Sequence, residues 1–252
     1  MATGLKITAG TGLHKGDREY QQDQLGLWPH PQAKQCMLCV IADGMGGRSG
    51  GRKASDQVML TAQQLFARFS PDTDSPQALL AQIVEDAHMV IRLTAVSAEQ
   101  EPHSTVAAFL LMPDRSCHWL HVGDSRIYHY QRHRLVTRTI DHSYVQSLVN
   151  KGVLTPEQAN NHPQANVLMA CLGTEVPPPA SAHTVPAVQA GDTLMACSDG
   201  VWHYLSEEEI GHIVNERAAK ESCETLIGIA RERAMGHGDN LSVVVVKFEN
   251  KV

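Results

Sequence analysis

Five aspartates of this chain stand out, and most of them adjoin short apolar runs, at positions where a strand of a sheet would end or begin. They are Asp23, Asp43, Asp124, Asp199 and Asp239. Asp43 comes directly after the apolar run 38–42, Asp199 comes just after the run 194–197, and both are followed by glycine. A carboxylate held by a buried strand and followed by glycine suits a hard cation, because glycine lets backbone oxygen and water approach the ion closely.

The number of these carboxylates favours cations over simple turns. A single Asp-Gly pair is more often a turn than a metal ligand. Several carboxylates brought together from separate strands would repel each other strongly, and bound cations are the usual reason that a fold tolerates this. Oxygen ligands favour Mg²⁺ or Mn²⁺, whereas Zn²⁺ would need histidine or cysteine. The chain has 14 histidines, but none forms a His-x-x-x-His or His-x-Glu arrangement at these strand ends. The residues therefore predict a site for hard divalent cations.

Apolar periodicities predict the elements that must position the carboxylates. Short apolar and β-branched runs predict strands at 38–42, 105–112, 119–122, 194–197 and 241–248. Residues 126–139 alternate like a hairpin that turns near Arg132 and His133. A period of 3.6 predicts helices at 54–69 and 79–91. A capping box of Ser206 and Glu209 predicts the start of a third helix, and a fourth is expected at about 221–235.

This order of elements favours an α/β (α+β) sandwich in which antiparallel sheets are covered by helices. The alternation of strands and helices is too irregular for a doubly wound or barrel fold. The one proline-rich run, 177–179, is short and lies between apolar segments. Because no linker interrupts the chain, we expect one domain spanning residues 1–252.

Composition limits the partners. The net charge of -6 argues against nucleic acid. No stretch has the length of a membrane-spanning helix and the N-terminus lacks the pattern of a signal peptide, so we expect a cytoplasmic protein without membrane contact. Six cysteines in a chain this long do not indicate a disulfide scaffold. On one strand Cys36 and Cys39 would point to opposite faces, so they could share a metal only across a turn.

Seven short motifs follow one another along nearly the whole chain. They are Arg18 with Gln22-Asp23, Asp43-Gly44-Met45-Gly46-Gly47, Ser104-Thr105, Gly123-Asp124-Ser125-Arg126, Asp141-His142-Ser143, Ser198-Asp199-Gly200-Val201-Trp202 and Asp239-Asn240. This order closely resembles the metal-dependent protein serine/threonine phosphatases of type 2C, also called the PPM family. Residues 145–173 resemble the flap-bearing segment of bacterial members, so we expect a flap-like segment at about 142–175. Each motif is weak alone, whereas the ordered series is highly specific.

The resemblance implies a four-layer αββα sandwich with a dinuclear Mn²⁺ or Mg²⁺ centre at one end. It implies that Asp43 bridges both ions. The Gly44 carbonyl, Asp199 and Asp239 would supply further direct ligands, and Asp23 would hold metal-bound water.

The resemblance also implies roles for residues around the two ions. Asp124, together with Asp199, would hold a third, weakly bound ion. Arg18 would grip the substrate phosphate, because guanidinium offers a bidentate clamp that lysine cannot match. Arg18, Asp43 and Asp239 are therefore the expected catalytic residues.

The implied activity is hydrolysis of phosphoserine and phosphothreonine in proteins by a metal-activated water. The implied partners are phosphorylated proteins, the substrates of a cognate Ser/Thr kinase, and the chain would be a stand-alone bacterial monomer. Two alternatives stay open, namely a metal-dependent phosphoesterase acting on a small molecule and a catalytically weak phosphoprotein-binding module. A P-loop nucleotide site is excluded because Arg52 stands where that motif requires lysine.

Three positions depart from the commonest pattern of the family. Gln22 stands where some members carry glutamate, which lowers the negative charge of the site. Met45 stands where many eukaryotic members have a histidine, and methionine cannot donate a proton to a leaving oxygen. His203 stands where an aspartate is often found near an additional metal. The basic hairpin 126–138 is interpreted as a solvated face, with Arg126 held inside its motif, although docking of phosphoprotein is an alternative.

Overall fold

The computed structural model describes residues 5–98 and 101–251. The strands of these ranges are β1 (Leu5–His14), β2 (Asp23–Pro29), β3 (Met37–Met45), β4 (His103–Ser104), β5 (Val106–Leu111), β6 (Cys117–Val122), β7 (Arg126–Gln131), β8 (Arg134–Arg138), β9 (Ser181–Val185), β10 (Asp192–Cys197) and β11 (Leu241–Asn250). The helices are α1 (Gly47–Phe66), α2 (Pro76–Ala98), α3 (Tyr144–Asn150), α4 (Pro156–Asn160), α5 (Asp199–Trp202), α6 (Glu207–Glu216) and α7 (Ala219–Ala234). None of these helices is long and apolar enough to cross a membrane.

The strands form two antiparallel sheets. One has the order β1-β11-β10-β7-β8, and the other has the order β2-β3-β5-β6-β9, with β4 pairing beside β3. The pairing is antiparallel between every two neighbouring strands. Because alternate residues of a strand point to opposite faces, each sheet can bury two apolar faces at once.

The two sheets lie face to face, and helices cover both outer faces. Leu38 and Val40 of β3 pack with α1 and α2 on one side. Cys39 and Ile41 of the same strand pack against the other sheet, where they meet Leu194 and other residues of β10 and β11. The far face of that second sheet is covered by α5, α6 and α7. The predicted four-layer αββα sandwich is therefore confirmed.

Most of the predicted elements are present with shifted ends. The five predicted strands correspond to β3, β5, β6, β10 and β11, and the predicted hairpin is β7 with β8. Ser206 caps α6 through the predicted capping box with Glu209. Cys36 and Cys39 lie on opposite faces of the sheet, as predicted, and both thiols are free.

Sequence periodicity did not predict β1, β2 or β9. In β9, residues 181–184 are exposed, so no apolar pattern marks the strand. Gly10 interrupts the pattern of β1, and a Cβ at this position would lie 2.5 Å from the backbone of Ala219 and Lys220. The glycine lets the start of α7 pack directly on the strand. An apolar side chain, which would have marked the strand in the sequence, does not fit at this position.

The segment expected to resemble a flap contains α3 and α4. Single β-bridges join Ser143 to Leu168 and Ser104 to Leu172, close to the two ends of the segment. Ser143 caps α3, and Thr155 caps α4 through a capping box with Gln158. These caps satisfy backbone N–H groups at the starts of short helices. The role of this segment stays a prediction.

Candidate metal centre

The sheet register brings the ends of several strands to one edge of the sandwich. In the pairing of β2 with β3, Asp23 stands directly opposite Asp43. In the other sheet, Cys197 at the end of β10 stands opposite Val243 near the start of β11 and opposite Arg126 at the start of β7. The residues next to these ends include Asp124, Asp199 and Asp239. The five aspartates singled out by the sequence thus lie at the same edge.

The backbone of Asp43 is fixed by hydrogen bonds to Ser104 and Thr105, which lie beside it in space. The N–H of Asp43 donates to the Thr105 hydroxyl at 3.0 Å, and the carbonyl of Asp43 accepts from the Thr105 N–H at 2.9 Å. The Ser104 hydroxyl donates to the same carbonyl at 3.1 Å. Asp43 lies inside β3 and not after it, because the strand continues through these bonds to Met45. The predicted strand end at residue 42 is therefore three residues too early.

Two glycines allow backbones to approach each other beside the carboxylates. A Cβ at Gly44 would lie 2.0 Å from the carbonyl oxygen of Gly51, and a Cβ at Gly200 would lie 2.0 Å from that of Asn240. No other residue type fits these positions without moving the backbone. Gln22, the departure from the family pattern, donates its side-chain amide to the carbonyl of Gly47 at 2.6 Å.

Buried carboxylate oxygens at this edge lack partners among the described residues. Asp23 is 1% exposed, and its Oδ2 accepts from the Ser198 hydroxyl at 2.6 Å. Its Oδ1 and the Oδ1 of Asp199 are buried without a hydrogen bond. A buried unpaired carboxylate oxygen is costly, and a cation is one of the few groups that offsets the cost.

The electrostatics of this edge disfavour the charged forms of the carboxylates. Burial, followed by repulsion from Asp23, Asp199 and Asp124, holds the pKa of Asp43 well above its usual range. Burial and then Asp124 and Asp239 raise the pKa of Asp199 in the same way. The pKa of Asp23 is raised mainly by burial, and that of Asp124 is raised by burial and by Asp141. Divalent cations would remove this penalty.

Arg18 brings a positive charge to this edge beside Asp239. Its Nη2 lies 2.6 Å from Oδ2 of Asp239, and its side chain is 60% exposed. Oδ1 of Asp239 accepts from the N–H of Asn240 at 2.7 Å. Arg18, Asp199 and Asp239 line one small pocket of about 100 Å³. The structure therefore brings the predicted phosphate-binding residue together with two predicted metal ligands.

The carboxylates of the described residues are not gathered into a set of metal ligands. Within residues 5–98 and 101–251, no three or more His, Cys, Asp or Glu side chains are gathered so that they could hold a metal ion. Asp239 is turned to Arg18, and Asp23 is turned to Ser198. The charge and oxygen chemistry fit hard cations, and a ligand set would form by rotation of side chains that are already at this edge. The ligand roles stay predictions.

Sequence reasoning missed two residues of the small pocket. Tyr204 and His237 line it together with Arg18, and so does Asn166 from the segment expected to resemble a flap. Neither Tyr204 nor His237 has a motif or spacing that marks it. Asn166 and His203 also line an adjoining pocket of about 450 Å³, which extends between α3, α4 and the start of α6. Asp124 lies in this larger pocket and not in the small one.

The basic hairpin is less solvated than expected. Arg126 forms a bidentate pair with Asp141 at 2.7 and 2.8 Å and lies 3.5 Å from the centre of the Trp202 ring. The prediction that Arg126 is held inside its motif is confirmed. Arg138 is wrongly assigned to a solvated face, because its side chain is 19% exposed and pairs with Glu207. Of the four hairpin arginines Arg126, Arg132, Arg134 and Arg138, the first and the last therefore form ion pairs within the fold.

The sequence profile described as Protein phosphatase 2C matches residues 11–237, which is most of the chain. The chain belongs to the protein phosphatase 2C family. The Serine/threonine protein phosphatase PstP of Mycobacterium tuberculosis is 35% identical over 215 residues, which are 82% of this chain and 40% of that protein. This chain thus spans less than half of that relative. The Serine/threonine phosphatase stp of Listeria monocytogenes is 28% identical over 91% of both chains.

Solved structures of the family share the fold. The catalytic domain of PstP in complex with two manganese ions has a TM-score of 0.82 and 28% identity, and the match covers 98% of this chain and all of that domain. A second crystal structure of PstP from Mycobacterium tuberculosis has a TM-score of 0.84 with the same coverage. The resemblance stated from the motifs is therefore confirmed at the level of family and fold.

We predict that the carboxyl groups at this edge contribute progressively less to the stability of the metal-free protein as the pH rises from about 4 towards neutral. The carboxyl groups of Asp23, Asp43, Asp124 and Asp199 have raised pKa values in the folded state. Over this range they keep protons in the folded chain and lose them in the unfolded chain, so their contribution to stability is present at low pH and lost as the pH rises. The measurement is urea denaturation in EDTA at several pH values.

Comparison of variants isolates the contribution of the site from other titrating groups. Asp124→Asn should show a shallower fall in the free energy of unfolding with pH than the wild type. Asp72→Asn, at an exposed position away from this edge, should match the wild type. An unchanged pH slope in Asp124→Asn would contradict the electrostatic description of the site.

Proposed function

We propose that this chain is a metal-dependent phosphatase that hydrolyses phosphoserine and phosphothreonine in proteins. The observation that carries the proposal is the meeting of Arg18 with Asp199 and Asp239 in one small pocket, beside further buried carboxylates. An arginine next to several carboxylates that repel one another suits a site in which cations and a phosphate bind together. The relatives from Mycobacterium tuberculosis and Listeria monocytogenes are named serine/threonine phosphatases, which supports the same reaction class.

The proposed ligand set uses oxygen donors from both sheets. Asp43, the carbonyl of Gly44, Asp199 and Asp239 would hold two Mn²⁺ or Mg²⁺ ions, and Asp23 would contact them through water. When bound, the two ions would supply an activated water nucleophile and neutralise charge on the phosphoryl group. The orphaned Oδ1 of Asp199 and Oδ1 of Asp23 fit this assignment, because both are buried without another partner. Manganese in the related PstP domain supports the choice of ion.

The proposed work of the chain itself is to position ions and substrate. Thr105 and Ser104 fix the backbone of Asp43. The carboxylate of Asp43 could therefore bind an ion while the main chain stays in place. Arg18 would exchange Asp239 for a phosphate oxygen, because both are anionic acceptors at the same end of its side chain. Asp124 and Asp199 would bind a third, weaker ion.

The two pockets suggest how a phosphoprotein would lie. The small pocket, of about 100 Å³, has room for a phosphate group and not for a peptide. The adjoining pocket of about 450 Å³ would then take residues next to the phosphorylated side chain, and Asn166 and His203 lie where the two pockets meet. The larger pocket offers space beside the phosphate-binding pocket for residues that flank a phosphorylated serine or threonine, which fits a protein substrate.

The cellular setting is part of the proposal. All six cysteines are free, and five of them are buried. Unpaired thiols are typical of the reducing cytosol. We therefore propose a cytoplasmic enzyme that acts as a monomer on the substrates of a cognate Ser/Thr kinase.

We predict that the purified protein releases phosphate from a phosphothreonine peptide only with added Mn²⁺ or Mg²⁺. Asp43→Asn should abolish turnover at saturating metal, because the substitution would remove a carboxylate that is proposed to hold the ions. The measurement is phosphate release, with circular dichroism to verify folding and Asp72→Asn as the matched control. Turnover by the metal-stripped wild type, or full turnover by Asp43→Asn, would overturn the dinuclear assignment.

The same assay separates the alternatives. A protein phosphatase should have a higher kcat/KM on the phosphopeptide than on a panel of small phosphate esters. The reverse order would identify a small-molecule phosphoesterase. Tight phosphopeptide binding without turnover at saturating Mn²⁺ would identify a binding module.

We predict that Arg18→Ala chiefly raises KM for the phosphopeptide. The lost interaction is a charge-assisted hydrogen bond of about 1.5 to 3 kcal/mol, which corresponds to roughly one to two orders of magnitude. Arg18→Lys should recover only part of the loss, because lysine cannot bind two oxygens at once. A collapse of Mn²⁺ affinity with an unchanged KM would show that Arg18 serves the metal site and not the substrate.

A further inference from the structure

Arg18 stands on a segment that has no regular structure to hold it. Residues 15–22 connect β1 to β2 without a helix or strand. The Arg18 side chain is largely exposed, and its described ion pair is with Asp239. An exposed arginine on an irregular segment would sample many orientations unless the backbone beneath it is anchored.

Asp17 anchors this backbone to the residues just before Asp239. The N–H of Asp17 donates to the carbonyl of Gly238 at 3.0 Å. In return, the N–H of Gly238 donates to Oδ2 of Asp17 at 2.7 Å. Two opposed bonds between the same two residues fix both distance and orientation. They join the residue before Arg18 to the residue before Asp239.

Neighbouring contacts also hold these two segments close together. Gly16 has φ +63°, and a Cβ there would lie 1.9 Å from the carbonyl oxygen of Asp239. The side-chain amide of Asn240 donates to the carbonyls of Lys15 at 2.8 Å and Tyr20 at 3.0 Å. Asn240 thus holds residues 15 and 20, at the two ends of the segment that carries Arg18. Asp17 holds the middle of the same segment, next to Arg18.

We infer that Asp17 is a positioning residue for phosphate recognition, which sets the guanidinium of Arg18 over the small pocket by clamping its backbone to Gly238. This inference rests on the proposed function, because it assigns Asp17 a role in the same site. Asp17 does not line the small pocket, so its proposed effect on phosphate passes through the adjacent Arg18. A carboxylate suits the clamp, because it accepts strongly from a backbone N–H.

The test is a double-mutant cycle on phosphopeptide turnover. Asp17→Ala should raise KM about three- to tenfold with kcat nearly unchanged, a smaller effect than that of Arg18→Ala. In an Arg18→Ala background, Asp17→Ala should add almost nothing, because the group that it positions is gone. Asp17→Asn keeps an oxygen that can accept from Gly238 and should stay close to the wild type. Asp72→Ala is the control for loss of an exposed carboxylate.

Additive effects of the two substitutions on KM would overturn the inference, because Asp17 would then act independently of Arg18. A fall in kcat with unchanged KM, or a loss in Asp17→Asn equal to that in Asp17→Ala, would also overturn it. Circular dichroism and the urea midpoint of each variant exclude unfolding as the cause of a change.

A second readout does not depend on phosphatase activity. Trypsin cleavage after Lys15 and Arg18, followed by mass spectrometry, reports how firmly the segment is held. Asp17→Ala should be cut at least several-fold faster at these sites than the wild type, and Asp17→Asn should not. If the wild type hydrolyses no phosphoester, the proposed function fails, yet faster cleavage still supports the clamp. Equal cleavage of wild type and Asp17→Ala would overturn the clamp even in an active enzyme.

Discussion

Mutual repulsion of buried and half-buried carboxylates at one edge of the sandwich is the constraint on which the rest of the structure depends. Asp23 and Asp43 stand opposite each other on paired strands, where like charges are destabilising. Asp124 and Asp199 add to the same field from the other sheet. A fold that served only stability would place apolar or neutral side chains there. The core of three apolar layers supplies the stability that this arrangement costs.

The contacts around the carboxylates hold the backbone in place, and they leave Oδ1 of Asp23 and Oδ1 of Asp199 without a partner among the described residues. Thr105 holds the main chain of Asp43, and Asn240 holds the two ends of the segment that carries Arg18. Gly44 lets the backbone of Gly51 approach closely, and Gly200 does the same for the backbone of Asn240. A site built in this way has a rigid base and side chains that can rotate. Such side chains can face one another without cations and gather around cations when these bind.

Sequence reasoning recovered the parts of the fold that carry a periodic apolar signal. The strands β3, β5 and β11 are apolar on both faces because each lies between a helix layer and the other sheet, and their runs were visible. β1 was missed because Gly10 serves the close approach of α7 and not the apolar pattern. The convergence of Asp23 with Asp43 depends on strand register, which a single sequence does not reveal. Tyr204 and His237 carry no motif, because their places near Arg18 follow from tertiary contacts alone. Asp17 adjoins Arg18 in the sequence, but its contact with Gly238 is a tertiary one that the sequence does not reveal.

The central claim is that the carboxylates are tolerated because they bind divalent cations, and counting bound Mn²⁺ tests it most directly. Titration calorimetry on the metal-stripped wild type at neutral pH should give two Mn²⁺ ions per chain, with any third ion much weaker. Asp199→Asn should bind at most one ion tightly, whereas Asp72→Asn should match the wild type. Absence of saturable Mn²⁺ binding in the wild type, or an unchanged stoichiometry in Asp199→Asn, would contradict the account.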